Sequence, residues 1–320
     1  MGFVFVFPGQ GSQAVGMGAS LADAFPAARK VFDRVDAALE QDLSALMREG
    51  PMETLTLTEN AQPALMAASL AVIRVLEDEF ELCVDSARYV AGHSLGEYSA
   101  LAAAGALSLE DAARLLKRRW LAMQAAVPVG EGAMAALLGA SGEDAAEAIA
   151  QGADAGDIAI ANDNAPGQIV ISGHKAAVEK AIAAAKALGV KKAVLLPVSA
   201  PFHCALMAPA AVEMHEALSN VDILEPKVPL VTNVSARVVT DPETIRTHLV
   251  DQVTGTVRWR ESVNHMVEAG VDLFVECGAG KVLTQMLKRT APDAKGLALN
   301  TPEDLEAFVK AAREGAYGNV

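Results

Sequence analysis

The feature that most constrains this chain is a pentapeptide at a strand-to-helix junction. Gly92-His93-Ser94-Leu95-Gly96 fits the pattern G-x-S-x-G and follows the short apolar segment Tyr89-Val90-Ala91. In a nucleophile elbow, a serine occupies a tight turn between a buried strand and a helix, and the flanking glycines leave room for that turn. A glycine-rich turn without any chemistry has the same pattern, so that alternative stays open. With its flanks, the pentapeptide predicts an α/β fold with a mostly parallel sheet.

The middle of the chain predicts a second unit. Strand-like segments at 134–138, 157–161, 168–172 and 192–198 alternate with helix-like segments at 142–150 and 176–188. This is the order β-α-β-β-α-β of ferredoxin-like folds. A chain of 320 residues, 52% of them hydrophobic, can bury a large core and carry an insertion. We therefore predict a large α/β-hydrolase-like domain from residues 1–127 and 199–320, with a small ferredoxin-like domain inserted at 128–198.

Composition argues against several classes of protein. The net charge of −14 disfavours non-specific nucleic-acid binding. No apolar run approaches the ~18 residues of a membrane span. The apolar N-terminal segment stops at Pro8 without the features of a secretory signal. Three widely spaced cysteines argue against a disulfide framework or a zinc site. We expect a cytoplasmic monomer without nucleic-acid or membrane partners.

A second glycine-rich segment invites a different interpretation. Gly9-Gln10-Gly11-Ser12-Gln13-Ala14 follows a predicted strand and formally satisfies the dinucleotide fingerprint G-x-G-x-x-A. That fingerprint also requires a second strand that ends in an acidic residue about 20 positions later. The corresponding stretch here has helical periodicity, so a nucleotide-dependent oxidoreductase is disfavoured.

One arginine lies where an apolar residue is expected. The helix that opens at Ser108 has an apolar stripe of Ala112, Leu115, Leu116 and Met123, and Arg119 falls on that stripe. A buried guanidinium is costly unless it is paired. Its partner is either a carboxylate from elsewhere in the core or the carboxylate of a substrate, which its planar fork binds well.

Among six histidines, His203 is the first choice for a general base. It lies in Ser199-Ala200-Pro201-Phe202-His203, directly after a predicted strand. Loops at the carboxyl ends of strands are where α/β proteins place functional residues. The other five histidines lie beside the serine or in segments predicted to be solvated.

Four motifs together resemble the malonyl-CoA:acyl carrier protein transacylases, in order and over essentially the whole chain. They are Gly9-Gln10-Gly11-Ser12-Gln13, the stretch from Gly92 to Ala100, the stretch from Ala165 to Gly173, and Pro201-Phe202-His203. The resemblance implies that Ser94 is acylated by malonyl-CoA with His203 as its base, and that malonyl then passes to an acyl carrier protein for fatty acid synthesis. It implies no metal and no cofactor beyond the coenzyme A thioester that serves as substrate.

The resemblance also assigns roles to further residues. It implies that Arg119 binds the malonyl carboxylate and that Gln10 and Leu95 supply backbone N–H groups to the oxyanion hole. Gln252 would orient His203 through its carbonyl group, and Asn162 would line the substrate site. The family often has a glycine after the arginine, whereas this chain has Trp120. We expect that difference to alter packing and leave the arginine in place.

Three other functions stay open at this point. A thioesterase or carboxylesterase could use the same elbow, although it would want an acidic third member and no inward arginine. A methylmalonyl-tolerant polyketide-type acyltransferase is disfavoured because Phe202 stands where such relatives usually carry a small residue. A carrier-binding module without activity would not need Ser94, His203 and Arg119 together.

Overall fold

The computed structural model describes residues 2–317, and Met1 and residues 318–320 lie outside the described part. Within that part there are ten strands. In chain order they are β1 Gly2–Phe7, β2 Tyr89–Gly92, β3 Gly132–Leu138, β4 Ile158–Ala165, β5 Gln168–His174, β6 Lys192–Leu195, β7 Leu230–Val231, β8 Val238–Val239, β9 Val271–Cys277 and β10 Lys295–Leu299.

Fourteen α-helices connect these strands within residues 2–317. They are α1 Ala19–Ala24, α2 Pro26–Leu39, α3 Leu43–Glu49, α4 Met52–Thr56, α5 Thr58–Phe80, α6 Gly96–Ala103, α7 Leu109–Ala125, α8 Gly142–Gly152, α9 Lys175–Ala187, α10 Ala208–Ser219, α11 Pro242–Thr254, α12 Trp259–Glu268, α13 Val282–Thr290 and α14 Pro302–Arg313.

The main sheet has six strands in the order β10-β9-β1-β2-β7-β8. Every pairing is parallel except the short antiparallel pair β7–β8. Side chains of β1 alternate between the faces, with Phe3, Phe5 and Phe7 in one buried cluster and Val4 and Val6 in another. Helices cover both faces, as a parallel sheet requires. The carboxyl ends of β1, β2, β9 and β10 therefore share one edge.

The second sheet is antiparallel, with the order β4-β5-β3-β6. Helices α8 and α9 contribute Ala148, Val178 and Ala181 to a separate core on one face of this sheet. On the opposite face, Met134 and Val170 join the core of the main sheet. A parallel bridge between Asn162 and Val257 ties β4 to the segment before α12. The two sheets thus pack together around a shared cleft.

The structure confirms the α/β architecture and the element order β-α-β-β-α-β in the middle of the chain. The helix predicted to open at Ser108 is α7, and the Ser108 side chain accepts the N–H of Asp111 at its start. No helix in the described residues is long and apolar enough to cross a membrane.

Candidate active site

The elbow is a strained turn between β2 and α6. Ser94 has a φ of 53°, in the left-handed region that non-glycine residues rarely adopt. A Cβ on Gly92 would lie 1.9 Å from the backbone of Gly96, and a Cβ on Gly96 would lie 2.2 Å from the carbonyl oxygen of Phe7. Both glycines are therefore required because backbone passes too close for a side chain.

Asn233 holds this turn from the side. Its Oδ1 accepts the backbone N–H of Ser94 at 2.7 Å, and its Nδ2 donates to the carbonyl oxygen of Gly92 at 2.6 Å. The residue is fully buried in the loop after β7. Sequence reasoning missed Asn233, whose only signal was a polar residue just beyond a buried strand.

His203 lies against the serine. Its Nε2 is 2.8 Å from Ser94 Oγ, and its Nδ1 is 2.8 Å from the carbonyl oxygen of Gln252. A carbonyl oxygen can only accept, so Nδ1 carries the hydrogen and Nε2 is left to accept the serine proton. Burial, together with the positive charge of Arg119, lowers the pKa of His203 to about 3. The imidazole is therefore neutral at physiological pH and can act as a base.

Arg119 projects from α7 into the interior, where it is 1% exposed. Its Nη1 donates to Oε1 of Gln62 at 3.1 Å, and its Nη2 donates to Oε1 of Gln252 at 2.8 Å. Nη2 also donates to Ser94 Oγ at 3.2 Å. Within residues 2–317 no ion pair involves this guanidinium, so two amides fix it and its charge faces the cleft. The carboxylate partner that a buried arginine could have had is replaced by Gln62 and Gln252.

Gln252 connects three parts of the site. Its backbone carbonyl receives the His203 hydrogen, and its side-chain oxygen receives Arg119. Its Nε2 donates to the carbonyl oxygen of Ser94 at 3.0 Å and to Oε2 of Glu97. The sequence analysis placed Gln252 beside the histidine, and the structure adds its side-chain contacts.

Glu97 is a buried carboxyl directly behind the elbow and is 1% exposed. Besides the Gln252 amide, it accepts the backbone N–H of Asn233 at 3.4 Å. Burial raises the pKa of Glu97 to about 8, against the opposing influence of these two donors and of Arg119. It belongs to the stretch that carried the family resemblance, but nothing in the sequence indicated its contacts.

A cleft of about 360 Å³ opens between the two sheets at Ser94. Six of the seven site residues selected from the sequence line it, and Gln252 lies buried behind them. The lining residues among the predicted set are Gln10, Ser94, Leu95, Arg119, Asn162 and His203. Gln10 follows β1 and Asn162 belongs to β4, so each sheet supplies one wall. Phe202 also lines the cleft, and its ring packs at 5.7 Å against Trp120.

The elbow's own histidine has a different environment. His93 Nε2 lies 2.7 Å from Oδ1 of Asn164, and its ring packs edge-on against Trp259. Burial lowers the pKa of His93. Among residues 2–317, no group of three or more His, Cys, Asp and Glu side chains could hold a metal ion. The contacts of Ser94 Oγ with His203 and Arg119 can activate this hydroxyl and place a cation next to it.

Comparison with known proteins gives consistent results. A family model described as an acyl transferase domain matches residues 4–305. A malonyl CoA-acyl carrier protein transacylase of Bacillus subtilis (strain 168) is 45% identical over 311 residues, which are 97% of either chain. The crystal structure of an acyl-carrier-protein-S-malonyltransferase from Bartonella henselae is 55% identical with a TM-score of 0.95, over 97% of this chain and 99% of that one. A malonyl-transacylase in complex with its type II PKS acyl-carrier protein has a TM-score of 0.93 and 42% identity, over 97% of this chain and 99% of that one.

Proposed function

This chain belongs to the acyl transferase domain family, and we propose that it transfers malonyl from malonyl-CoA to the phosphopantetheine thiol of an acyl carrier protein. The observation that carries the proposal is the position of Arg119, a buried cation 3.2 Å from the nucleophile Ser94. A cation there suits an acyl group that ends in a carboxylate. The product would supply fatty acid synthesis.

Acylation begins with a proton transfer. The hydrogen of Ser94 Oγ points at His203 Nε2, because Arg119 donates to the same oxygen from another side. Nε2 takes this proton while Oγ attacks the thioester carbonyl carbon. The C–S bond then breaks, coenzyme A leaves with the proton from Nε2, and a malonyl-serine ester remains.

The second half-reaction reverses these steps with the thiol of the carrier protein. The carrier thiol gives its proton to His203 Nε2, and its sulfur attacks the ester carbonyl. Ser94 Oγ departs and recovers the proton, which leaves malonyl on the carrier. In both halves we assign the oxyanion to backbone N–H groups of Gln10 and Leu95, an assignment supported by their position in the cleft. Asn162 would contact the acyl chain or pantetheine from the opposite wall.

These steps use only side chains and backbone N–H groups of the protein, and we propose that no metal or cofactor takes part. The contact of His203 Nδ1 with a carbonyl group supports a two-residue mechanism over the triad of an esterase. Phe202, packed on Trp120 at the cleft, supports malonyl over methylmalonyl. Trp120 thus occupies space beside Phe202 and leaves Arg119 in the cleft.

We assign residues 1–127 and 199–320 to one α/β-hydrolase-like domain and 128–198 to a ferredoxin-like domain. The strand order β4-β5-β3-β6 of the second sheet supports the latter assignment. We also propose that the protein is a cytoplasmic monomer that meets its carrier protein at the mouth of the cleft.

Intact-protein mass spectrometry after brief exposure to malonyl-CoA tests this function. We expect a malonyl adduct on the wild-type protein, no adduct on Ser94→Ala, and transfer of malonyl to added holo carrier protein. Arg119→Ala should lose the preference for malonyl-CoA over acetyl-CoA. Release of coenzyme A without an adduct or transfer would identify a hydrolase, and neither adduct nor release would identify a carrier-binding module.

A further inference from the structure

Glu97 is a buried carboxylate that no cationic side chain touches. It is 1% exposed, and within residues 2–317 it takes part in no ion pair. Its hydrogen-bond partners are the Gln252 amide and the backbone N–H of Asn233. Burying a polar carboxyl group is costly, so a purely structural position would be filled at lower cost by an apolar residue.

The contacts of Gln252 have a fixed direction. The carbonyl oxygen of Ser94 can only accept a hydrogen bond, so the NH₂ group of Gln252 must face Ser94 and, beside it, Glu97. A guanidinium can only donate, so the amide oxygen must face Arg119. The hydrogen bonds therefore run from Arg119 through the amide to Glu97. If the amide flipped, its NH₂ group would face the guanidinium and its oxygen would face the oxygens of Ser94 and Glu97.

The Gln252 amide also keeps the Glu97 carboxyl group away from Arg119. A carboxylate in direct contact with Arg119 would occupy the fork that the substrate needs. Held one amide away, the Glu97 carboxyl group accepts from Gln252 while Nη2 stays in contact with Ser94 Oγ. The electrostatic attraction between the two side chains acts on both, since each favours the charged form of the other.

We infer that Glu97 is a positioning residue for substrate selection: through Gln252 it fixes Arg119 in the orientation that accepts the malonyl carboxylate. It does not contact the substrate itself. The inference rests on the proposed malonyl transfer and adds a residue outside the cleft lining to the determinants of acyl-group choice.

The isosteric variant Glu97→Gln tests the inference. Both oxygens of Glu97 face N–H donors, so an amide at position 97 must present its NH₂ group to Gln252 or to Asn233. Single-turnover acylation by malonyl-CoA should fall by about tenfold to a hundredfold, the effect expected when a buried N–H donor loses its acceptor. Acylation by acetyl-CoA should stay within about threefold of wild type, because acetyl has no carboxylate for Arg119.

Three further variants make the result specific. In an Arg119→Ala background, Glu97→Gln should leave the malonyl-to-acetyl ratio unchanged, since the residue acts through Arg119. Glu276→Gln is the matched control: Glu276 is also buried and accepts two N–H groups, from Leu283 and Thr284, at the start of α13. It should keep the wild-type ratio. If Glu97→Gln does not fold, Glu97→Asp is the second variant. It keeps the carboxyl group, shortens the side chain by one methylene, and should lower the ratio by a smaller factor.

The possible outcomes separate the two proposals. Equal loss with both thioesters, or an unchanged ratio in a folded Glu97 variant, overturns the role of Glu97. A ratio that still changes in the Arg119→Ala background overturns it as well. A wild-type protein that forms no malonyl adduct would instead contradict the proposed function.

Discussion

Nη2 of Arg119 lies 3.2 Å from Oγ of Ser94, and the same nitrogen donates to the side-chain oxygen of Gln252. The guanidinium is thus fixed beside the nucleophile before any substrate arrives. Its charge also helps to depress the pKa of His203. One residue therefore influences both the choice of acyl group and the protonation of the base.

Replacing Arg119 should change the pH dependence of acylation. Burial and the charge of Arg119 hold the pKa of His203 at about 3, so the neutral base persists well below neutral pH in the wild-type protein. Arg119→Ala removes the second influence and raises that pKa. The acid limb of single-turnover acylation by acetyl-CoA should therefore move to higher pH, as measured from pH 4 to 8. An acid limb that does not move would mean that the two charges are not coupled.

The glycines of the elbow should tolerate no side chain. Gly92→Ala and Gly96→Ala each place a Cβ within 2.2 Å of backbone atoms, so we expect a loss of at least about 3 kcal/mol in the free energy of unfolding. Gly142→Ala is the control, because a Cβ at this first position of α8 meets nothing within 4 Å. It should stabilise the protein by up to about 1 kcal/mol. Urea titrations would measure all three, and a mild effect at Gly92 would contradict the close approach.

The parts of the site that could be predicted depend on local pattern. Ser94 follows from the glycines around it, Arg119 from its place on an apolar stripe, and His203 from its place after a strand. Each signal lies within a few residues of the functional group. These patterns selected the three residues separately, and the family resemblance joined them in one site.

The parts that could not be predicted are contacts between residues that lie far apart in the sequence. Gln62 reaches Arg119 across 57 positions and Gln252 reaches Glu97 across 155. Periodicity places a side chain on a face but does not identify its partner in another element. The edge strand β10 was also missed, because Lys295–Leu299 is short, contains a glycine and is exposed in its first half.

The buried histidine should make the protein less stable in acid. The pKa of His203 is about 3 in the folded protein because burial and Arg119 disfavour the charged form, whereas the unfolded chain has the ordinary value of 6.5. Between these values the unfolded chain binds the extra proton, so the free energy of unfolding falls as pH falls below 6.5. At pH 5 the loss from this group is about 2 kcal/mol.

A comparison with His203→Gln isolates that contribution. Burial raises the pKa of Glu97 to about 8, which has the opposite effect on how the free energy of unfolding depends on pH. Glu97 is present in both proteins, so its effect cancels in the comparison. Relative to wild type, the variant should gain about 2 kcal/mol in the free energy of unfolding between pH 7 and pH 5. Urea titrations at the two pH values would measure it. A constant difference would show that His203 titrates normally in the folded protein.

The amide group of Asn233 should be needed for the stability of the elbow and for acylation of Ser94. In Asn233→Asp one carboxylate oxygen can still accept the N–H of Ser94, but the other faces the carbonyl oxygen of Gly92 across the 2.6 Å that now holds a hydrogen bond. We expect a loss of about 1–3 kcal/mol in the free energy of unfolding and slower acylation of Ser94. Asn220→Asp is the control, because its amide donates to the carbonyl of Glu216 at the surface. Equal effects of the two variants would contradict the role of Asn233 in the elbow.

Docking of the carrier protein should depend on the basic residues that lie near the cleft. Lys191, Lys192, Lys281, Lys288 and Arg289 are the candidates that the sequence offers. Lys281 is exposed, follows β9 and precedes α13, which places it at the same edge of the sheet as Ser94. Lys288 lies in the last turn of α13, at the other end of that helix.

Lys281→Glu and Lys288→Glu therefore form a matched pair on one helix. Lys281→Glu should raise the KM for the carrier protein several-fold, most strongly at low salt, because a charge at a docking surface acts mainly on encounter. The KM for malonyl-CoA should change little, and Lys288→Glu should resemble wild type in both constants. Steady-state transfer assays at two ionic strengths would measure these values. Equal increases for both substrates would place Lys281 on the path of coenzyme A, and equal effects of the two variants would mean that only net charge matters.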